Sequence, residues 1–241
     1  MEQAILSPAR EKALHRLSEK LEVQFSNLEL LNQALTHTSF ANEERRTTPH
    51  NERLEFLGDA VLELASSTYL YEHFPDMPEG ELTRTRASVV CSETLARLAD
   101  GLGLGDYLLL GHGEEMSGGR TRQTNLEDVF EAVIGAIYLD QGWEAAREYV
   151  MRELAPAFHL AKRGEAFRDY KTMLQEYVFR KGNQRIGYEL VAEDGPDHAK
   201  SFTFCVRVTG EVLGTGTGRS KKEAEQRAAQ QALETLEARS R

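Results

Sequence analysis

Two stretches of this 241-residue chain carry acidic residues at helical spacing among apolar ones. In NERLEFLGDAVLEL, residues 51–64, the acids are Glu52, Glu55, Asp59 and Glu63. At 100° per residue all four fall within a stripe about 80° wide. Leu54, Leu57, Val61 and Leu64 take the opposite side, so the segment reads as an amphipathic helix. In TNLEDVFEAVIGAIYLD, residues 124–140, Asp128 and Glu131 lie three apart and share a face. Val129, Ala132, Val133 and Ala136 turn toward a core. If the two helices pack side by side, Glu55, Asp59, Asp128 and Glu131 converge. Four oxygen donors without histidine or cysteine suit a hard cation, magnesium or manganese. Such an ion lowers the pKa of bound water and stabilises charge on a phosphoryl group. The alternative is a pair of solvated acidic faces, and spacing alone does not bring the helices together. Gly58 argues for a close approach, because a mid-helix glycine costs about 1 kcal/mol relative to alanine.

The elements that must position these acids are helical. Apolar spacing near 3.6 marks helices over 7–21, 27–36, 51–73, 79–101, 123–139 and 142–160. Residues 101–120, GLGLGDYLLLGHGEEMSGGR, read as a glycine-rich connection. The pattern changes at 161–168, a short polar stretch that reads as a linker. Beyond it comes a helix, DYKTMLQEYVFRK, and then strand signals. Tyr188, Leu190 and Ala192 alternate, as do Phe202, Phe204, Val206 and Val208. EVLGTGTGRS reads as a third, glycine-bearing strand, and KKEAEQRAAQQALETLE as a final helix. The expectation is an all-α domain over 1–160, followed by a small α-β-β-β-α domain over 169–241.

Composition narrows the class. An apolar fraction of 40% and a charged fraction of 28% describe a soluble globular chain. No apolar run is long enough to span a bilayer, and the N-terminus lacks a secretory pattern. Two distant cysteines, Cys91 and Cys205, point to a reducing, cytoplasmic setting without structural zinc. The net charge of −10 is unevenly spread. From Arg168 onward there are 13 Lys+Arg against 11 Asp+Glu, leaving 16 against 28 before it. An acidic half is joined to a mildly basic one.

The second half carries its own signal. In GTGTGRSKKEAEQRAAQQAL, Arg219, Ser220, Lys221 and Lys222 stand at the start of the last helix. Free backbone N–H groups and the positive dipole end favour a phosphate there. Lysines in a first helical turn oppose the dipole unless an anion is present. Most such lysine pairs are merely solvated, so the motif alone is weak.

NERLEFLGDAVLEL closely resembles the signature of bacterial ribonuclease III. The α-β-β-β-α segment resembles that family's double-stranded-RNA-binding domain. ALTHTSF at 34–40, PEGELTR at 78–84 and LEDVFEAVIGAIYLD at 126–140 extend the likeness, which runs from about Leu17 to Leu236.

The resemblance implies a homodimeric endoribonuclease that hydrolyses both strands of an RNA duplex. Metal-activated water would attack, leaving 5′-phosphate and 3′-hydroxyl ends. The cofactor would be magnesium, with manganese a substitute, and no small-molecule cofactor or membrane partner is expected. Glu55, Asp59, Asp128 and Glu131 match the metal ligands. Asp59 and Glu131 match the catalytic core, with Glu52 and Glu79 in supporting roles. Phe56 matches a dimer-interface position, against an alternative role in core packing. Glu63 has no implied role and reads as solvated. His37, His50 and His112 read as structural or exposed. Thr172, Gln175 and Glu176 match the helix that reaches one minor groove, and His198 the loop that reaches a second. Such domains span about 16 base pairs and read A-form shape and 2′-hydroxyls rather than sequence. Maturation of ribosomal RNA precursors, trimming of messengers and processing of other structured RNAs are the cellular roles the family suggests.

Overall fold

A computed structural model of the chain describes residues 6–44, 48–162, 170–182, 185–195 and 200–239. The chain divides into two compact units, Met1–Phe167 and Arg168–Arg241.

The first unit is helical. Its order is α1 (Pro8–Lys20), α2 (Leu28–Ala34), α3 (Thr38–Glu43), α4 (Glu52–His73), α5 (Glu79–Val89), α6 (Ser92–Gly101), α7 (His112–Met116), α8 (Gln123–Gln141) and α9 (Trp143–Lys162). Short 3-10 turns at Leu104–Tyr107 and Gly119–Thr121 flank α7. Local chemistry sets several boundaries. Ser7 caps α1 through Arg10 N, and Asn27 caps α2 through Glu29 N. Pro78 precedes α5, where its missing N–H costs nothing. Gly142, with φ 84°, ends α8 in a conformation that favours glycine.

The single helix expected over 79–101 is in fact two. Val90 ends α5, and Cys91 turns extended (φ −73°, ψ 151°) as the cap residue of α6. Neither glycine nor proline marks that break. The glycine-rich connection is tied down rather than loose. Arg120 Nη1 donates to Gly105 O and Leu108 O, both at 2.9 Å, while Nε and Nη2 hold the Glu115 carboxylate.

The core runs along α8. Val129, Phe130, Ala132, Val133, Ile134, Ala136 and Ile137 are fully buried there, joined by Leu54, Val61, Leu62 and Ala65 of α4. Burying one such aliphatic side chain contributes roughly 1.5–3 kcal/mol. Leu64, expected on the core side of α4, is instead 56% exposed, and Leu57 is half-buried.

The second unit contains α10 (Tyr170–Arg180), β1 (Ile186–Asp194), β2 (Ser201–Val208), β3 (Glu211–Gly218) and α11 (Lys221–Ala238). The strands form an antiparallel sheet in the order β1-β2-β3. Thr209 and Gly210, with φ 51° and 88°, make the two-residue turn between β2 and β3. The expected alternation of β1 is broken by a bulge between Leu190 and Ala192 that leaves Val191 unpaired, and Leu190 and Val191 are both exposed.

GTGTG has a packing reason. A Cβ on Gly214 would lie 2.3 Å from Ala228 O, and one on Gly216 would lie 2.2 Å from Ala228 N. One on Gly218 would lie 2.7 Å from Ala224 N. Alternate glycines on β3 thus face Ala224, Ala228 and Ala232, spaced one turn apart on α11, and the two backbones almost touch. Leu174 and Val178 of α10 close this smaller core.

Candidate active site

The acidic helices meet. A Cβ on Gly58 would lie 1.8 Å from Glu131 O, and one on Gly135 would lie 2.2 Å from Leu54 O. Two glycines from two helices therefore face each other where α4 and α8 cross. Glu55 and Asp59 flank Gly58, and Glu131 stands one turn before Gly135. The N-terminal end of α4 is anchored by buried Asn51, whose N–H donates to Thr36 O at 2.9 Å. Thr36 in turn bridges to Leu109. His37 is structural, as expected: its Nδ1 accepts from Ser39 N at 3.2 Å and caps α3, and burial pushes its pKa down.

Electrostatics mark the crossing. Burial raises the Glu131 carboxyl to about 8, helped by Asp59, Glu127, Glu55 and Asp128. Burial raises Glu55 to about 7, with Asp128, Glu52, Glu127 and Asp59 adding to it. Burial raises Asp128 to about 6, with Glu127 and Glu52 contributing. Desolvation and like charge both penalise the ionised form. Among the described residues none of these carboxylates forms an ion pair with a base.

A divalent cation relieves both penalties, and an all-carboxylate donor set suits magnesium or manganese. Among the described residues, however, no three acidic, imidazole or thiol groups stand close enough together to chelate an ion as they are. The four carboxylates share a location and act on one another, but their oxygens are not gathered to coordination distance.

The other expected residues are placed as follows. Glu52 is exposed at the start of α4, 3.7 Å from His50 Nδ1, and its charge reaches Glu55 and Asp128. Glu79 opens α5, exposed, and accepts from Thr83 Oγ1 at 3.0 Å. It is not among the charges that act on Glu55, Asp128 or Glu131. Glu63 is not simply solvated, because it pairs with Arg86 at 2.8 Å, while Arg86 also donates to Ser67. That pair ties α5 to α4. Phe56 is 79% exposed, which rules out core packing within the chain. Glu127 is not among the residues the sequence singles out, although its charge reaches Glu55, Asp128 and Glu131. Its spacing was a usable signal, one turn before Glu131.

In the second unit Thr172, Gln175 and Glu176 are exposed on one side of α10, away from buried Leu174 and Val178. Glu176 pairs with Arg180 at 3.7 Å. Arg219, Ser220, Lys221 and Lys222 are exposed at the start of α11. Ser220 is its cap, with Oγ accepting from Glu223 N at 3.1 Å. Lys221 Nζ lies 5.8 Å from the centre of the Phe202 ring. His198 lies outside the described residues.

Residues 27–158 match the model for ribonuclease-III-like domains, and residues 170–236 match the double-stranded RNA binding motif. The chain belongs to the ribonuclease III family. Ribonuclease 3 of Pelotomaculum thermopropionicum is 52% identical over 94% of this chain and 94% of its own length. That of Symbiobacterium thermophilum is 51% identical over 90% and 91%. The nuclease domain of ribonuclease III from Campylobacter jejuni superposes with a TM-score of 0.56 at 40% identity. It covers 61% of this chain and 97% of its own. A second structure of that domain, described as flexible in a region involved in dimer formation, gives the same score. Family membership makes the chain an endoribonuclease, and the second motif makes double-stranded RNA its partner. No helix among the described residues is long and apolar enough to cross a membrane.

Proposed function

We propose that the protein is a magnesium-dependent homodimeric endoribonuclease that cuts both strands of an RNA duplex, leaving 5′-phosphate and 3′-hydroxyl ends. The observation that carries this reading is the glycine crossing of α4 and α8. It gathers Glu55, Asp128 and Glu131, acids with raised proton affinity and, among the described residues, no basic partner. Glu55, Asp59, Asp128 and Glu131 would hold the ion, and manganese would substitute for it. When bound, the ion supplies positive charge against the phosphodiester and acidifies water.

The chain's own residues do the rest. The crossing brings the two acidic edges together. Exposed Asp59 and half-buried Glu131 differ in solvation, and an ion held by Glu131 would displace the proton that burial favours there. Glu52 adds negative charge at the rim. Glu79 acts from α5, which the Glu63–Arg86 pair fixes on α4.

Dimerisation is supported by Phe56, Leu64 and Tyr71, exposed by 79%, 56% and 77% on one side of α4 with Ala60 among them. Two copies would bury that stripe about a twofold axis, giving one acidic cluster per strand of the duplex. Lys221, Lys222 and Arg219 would meet phosphates across the major groove. Thr172, Gln175 and Glu176 would read a minor groove, with Glu176 accepting from a 2′-hydroxyl, and His198 would reach a second. Ribosomal RNA precursors and other structured RNAs, messengers among them, are the proposed substrates, met in the cytoplasm.

The test is a long RNA duplex incubated in magnesium with end-group analysis, repeated with Glu131→Gln. Wild type should cleave both strands to the stated ends, while the variant binds with little cleavage. Duplex binding without cleavage by wild type, in any divalent metal, would make the helical unit a scaffold rather than a nuclease.

A further inference from the structure

Glu127 is a carboxylate that the proposed ligand set does not use. It precedes Asp128 on α8 and stands one turn before Glu131. It is half-buried and tethered from another helix, because Ser92 Oγ, in the first turn of α6, donates to it. Gln123 Nε2 donates to the same hydroxyl at 3.0 Å. Ser92 therefore has its proton committed to Glu127, and the carboxylate has a fixed direction. Among the described residues no base pairs with it. A neutral side chain could accept the Ser92 hydrogen bond equally well, so the tether alone does not require the charge.

We propose that Glu127 is a positioning residue of the ion site, a carboxylate held outside ligation by Ser92 that tightens divalent-ion capture through its charge. This rests on the reading of Glu55, Asp59, Asp128 and Glu131 as ligands. Glu127 is the chain neighbour of Asp128 and lies about 40° around α8 from Glu131, so its charge stands beside two of those four. A charge that repels its neighbours when the ion is absent attracts a dication twice as strongly as it attracts a proton. The tether to α6 keeps Glu127 from swinging in as a fifth ligand, and it keeps the field constant while the ligands rearrange. The ligand geometry then belongs to α4 and α8, and the added affinity to a residue braced by α6.

Glu127→Gln tests this, since glutamine keeps an acceptor for Ser92 and removes only the charge. Magnesium and manganese binding to the full chain are measured by calorimetry, alongside the cleavage rate at saturating magnesium and the melting temperature in chelator. The ion dissociation constant should rise about three- to tenfold, as expected for losing one unit charge several ångströms from a dication in a partly solvated site. The saturated cleavage rate should stay within about twofold, and the melting temperature in chelator should not fall. Glu234→Gln, in the second unit, should change nothing.

An unchanged dissociation constant, with or without a lower melting temperature, would overturn the proposal and leave Glu127 as a brace between α6 and α8. Loss of cleavage at saturating magnesium would overturn it differently, by making Glu127 a direct ligand. Glu131→Gln separates the two readings. If that variant loses ion binding while Glu127→Gln does not, only this inference falls. If neither variant changes ion binding, the ligand assignment falls with it.

Discussion

Gly58→Ala should damage the nuclease out of proportion to one methyl group. In an isolated helix the change would help, because alanine is better than glycine by about 1 kcal/mol. Here the new Cβ would lie 1.8 Å from Glu131 O and 2.6 Å from Glu131 C. Those are backbone atoms of a helix whose other side is fully buried, so no side chain can swing away. An ordinary carbon–oxygen contact needs at least ~3.2 Å, so α8 must retreat by on the order of 1.4 Å or the crossing must open. Overpacking of this kind costs about 1–3 kcal/mol and sometimes more. The steric term offsets the helix-propensity gain, and net destabilisation of up to about 2 kcal/mol follows. For a unit of this size that is a melting-temperature drop of up to about 8 °C.

Activity should suffer more. Misplacing reactive groups by about 1 Å can cost 100-fold, and Glu131 is the residue pushed. Thermal melting and duplex cleavage at saturating magnesium measure the two effects, with RNA binding as the internal standard. Gly101→Ala is the control, since nothing lies within 4 Å of a Cβ there. If Gly58→Ala melted like wild type and cleaved within twofold of its rate, the crossing would not be what positions the acids.

Four further outcomes follow from the same geometry. Glu55, Asp128 and Glu131 have raised proton affinities when folded, so the native state holds more protons than the unfolded one between about pH 4.5 and 8. Their contribution therefore lowers stability as pH rises through that window, and melting in chelator should fall with pH while magnesium raises it most at the alkaline end. Phe56→Asp should shift the sedimentation coefficient toward a monomer, and an unchanged dimer would remove the α4 stripe from the interface. Lys221→Ala combined with Lys222→Ala should weaken all duplexes alike and lower the salt slope of binding by about 1–2, whereas loss for one sequence only would contradict shape reading. Gly216→Ala should abolish RNA binding by forcing β3 off α11, measurable as lost circular-dichroism cooperativity in the second unit, because its Cβ would lie 2.2 Å from Ala228 N.

The acidic stripes of the candidate site are legible in the sequence because helical spacing is local. The stripe of Glu52, Glu55, Asp59 and Glu63 follows from 100° per residue, and Asp128 and Glu131 share a face for the same reason. Their meeting was not legible from spacing. Gly58 hinted at it, but only the facing Gly135 explains it, and that pair is 77 positions apart in sequence. Leu64 misled because an apolar residue on the core side of a helical wheel can sit at the edge of the buried stripe. Glu63 looks solvated in the sequence because its partner, Arg86, lies on another helix. The break at Cys91 carried no glycine or proline, so periodicity ran through it. The glycines of β3 were read as a feature of the strand, yet their cause is the alanine row of α11. For the helix crossing, Glu63 and the β3 glycines the missing information is tertiary contact, which periodicity does not encode.

The most direct measurement is anomalous scattering from crystals of the full chain soaked in manganese. A peak bounded by the carboxylates of Glu55, Asp59, Asp128 and Glu131 is the expected result, with Glu127 Oε atoms outside coordination distance. No peak at the α4–α8 crossing, or a site built from other residues, would contradict the account.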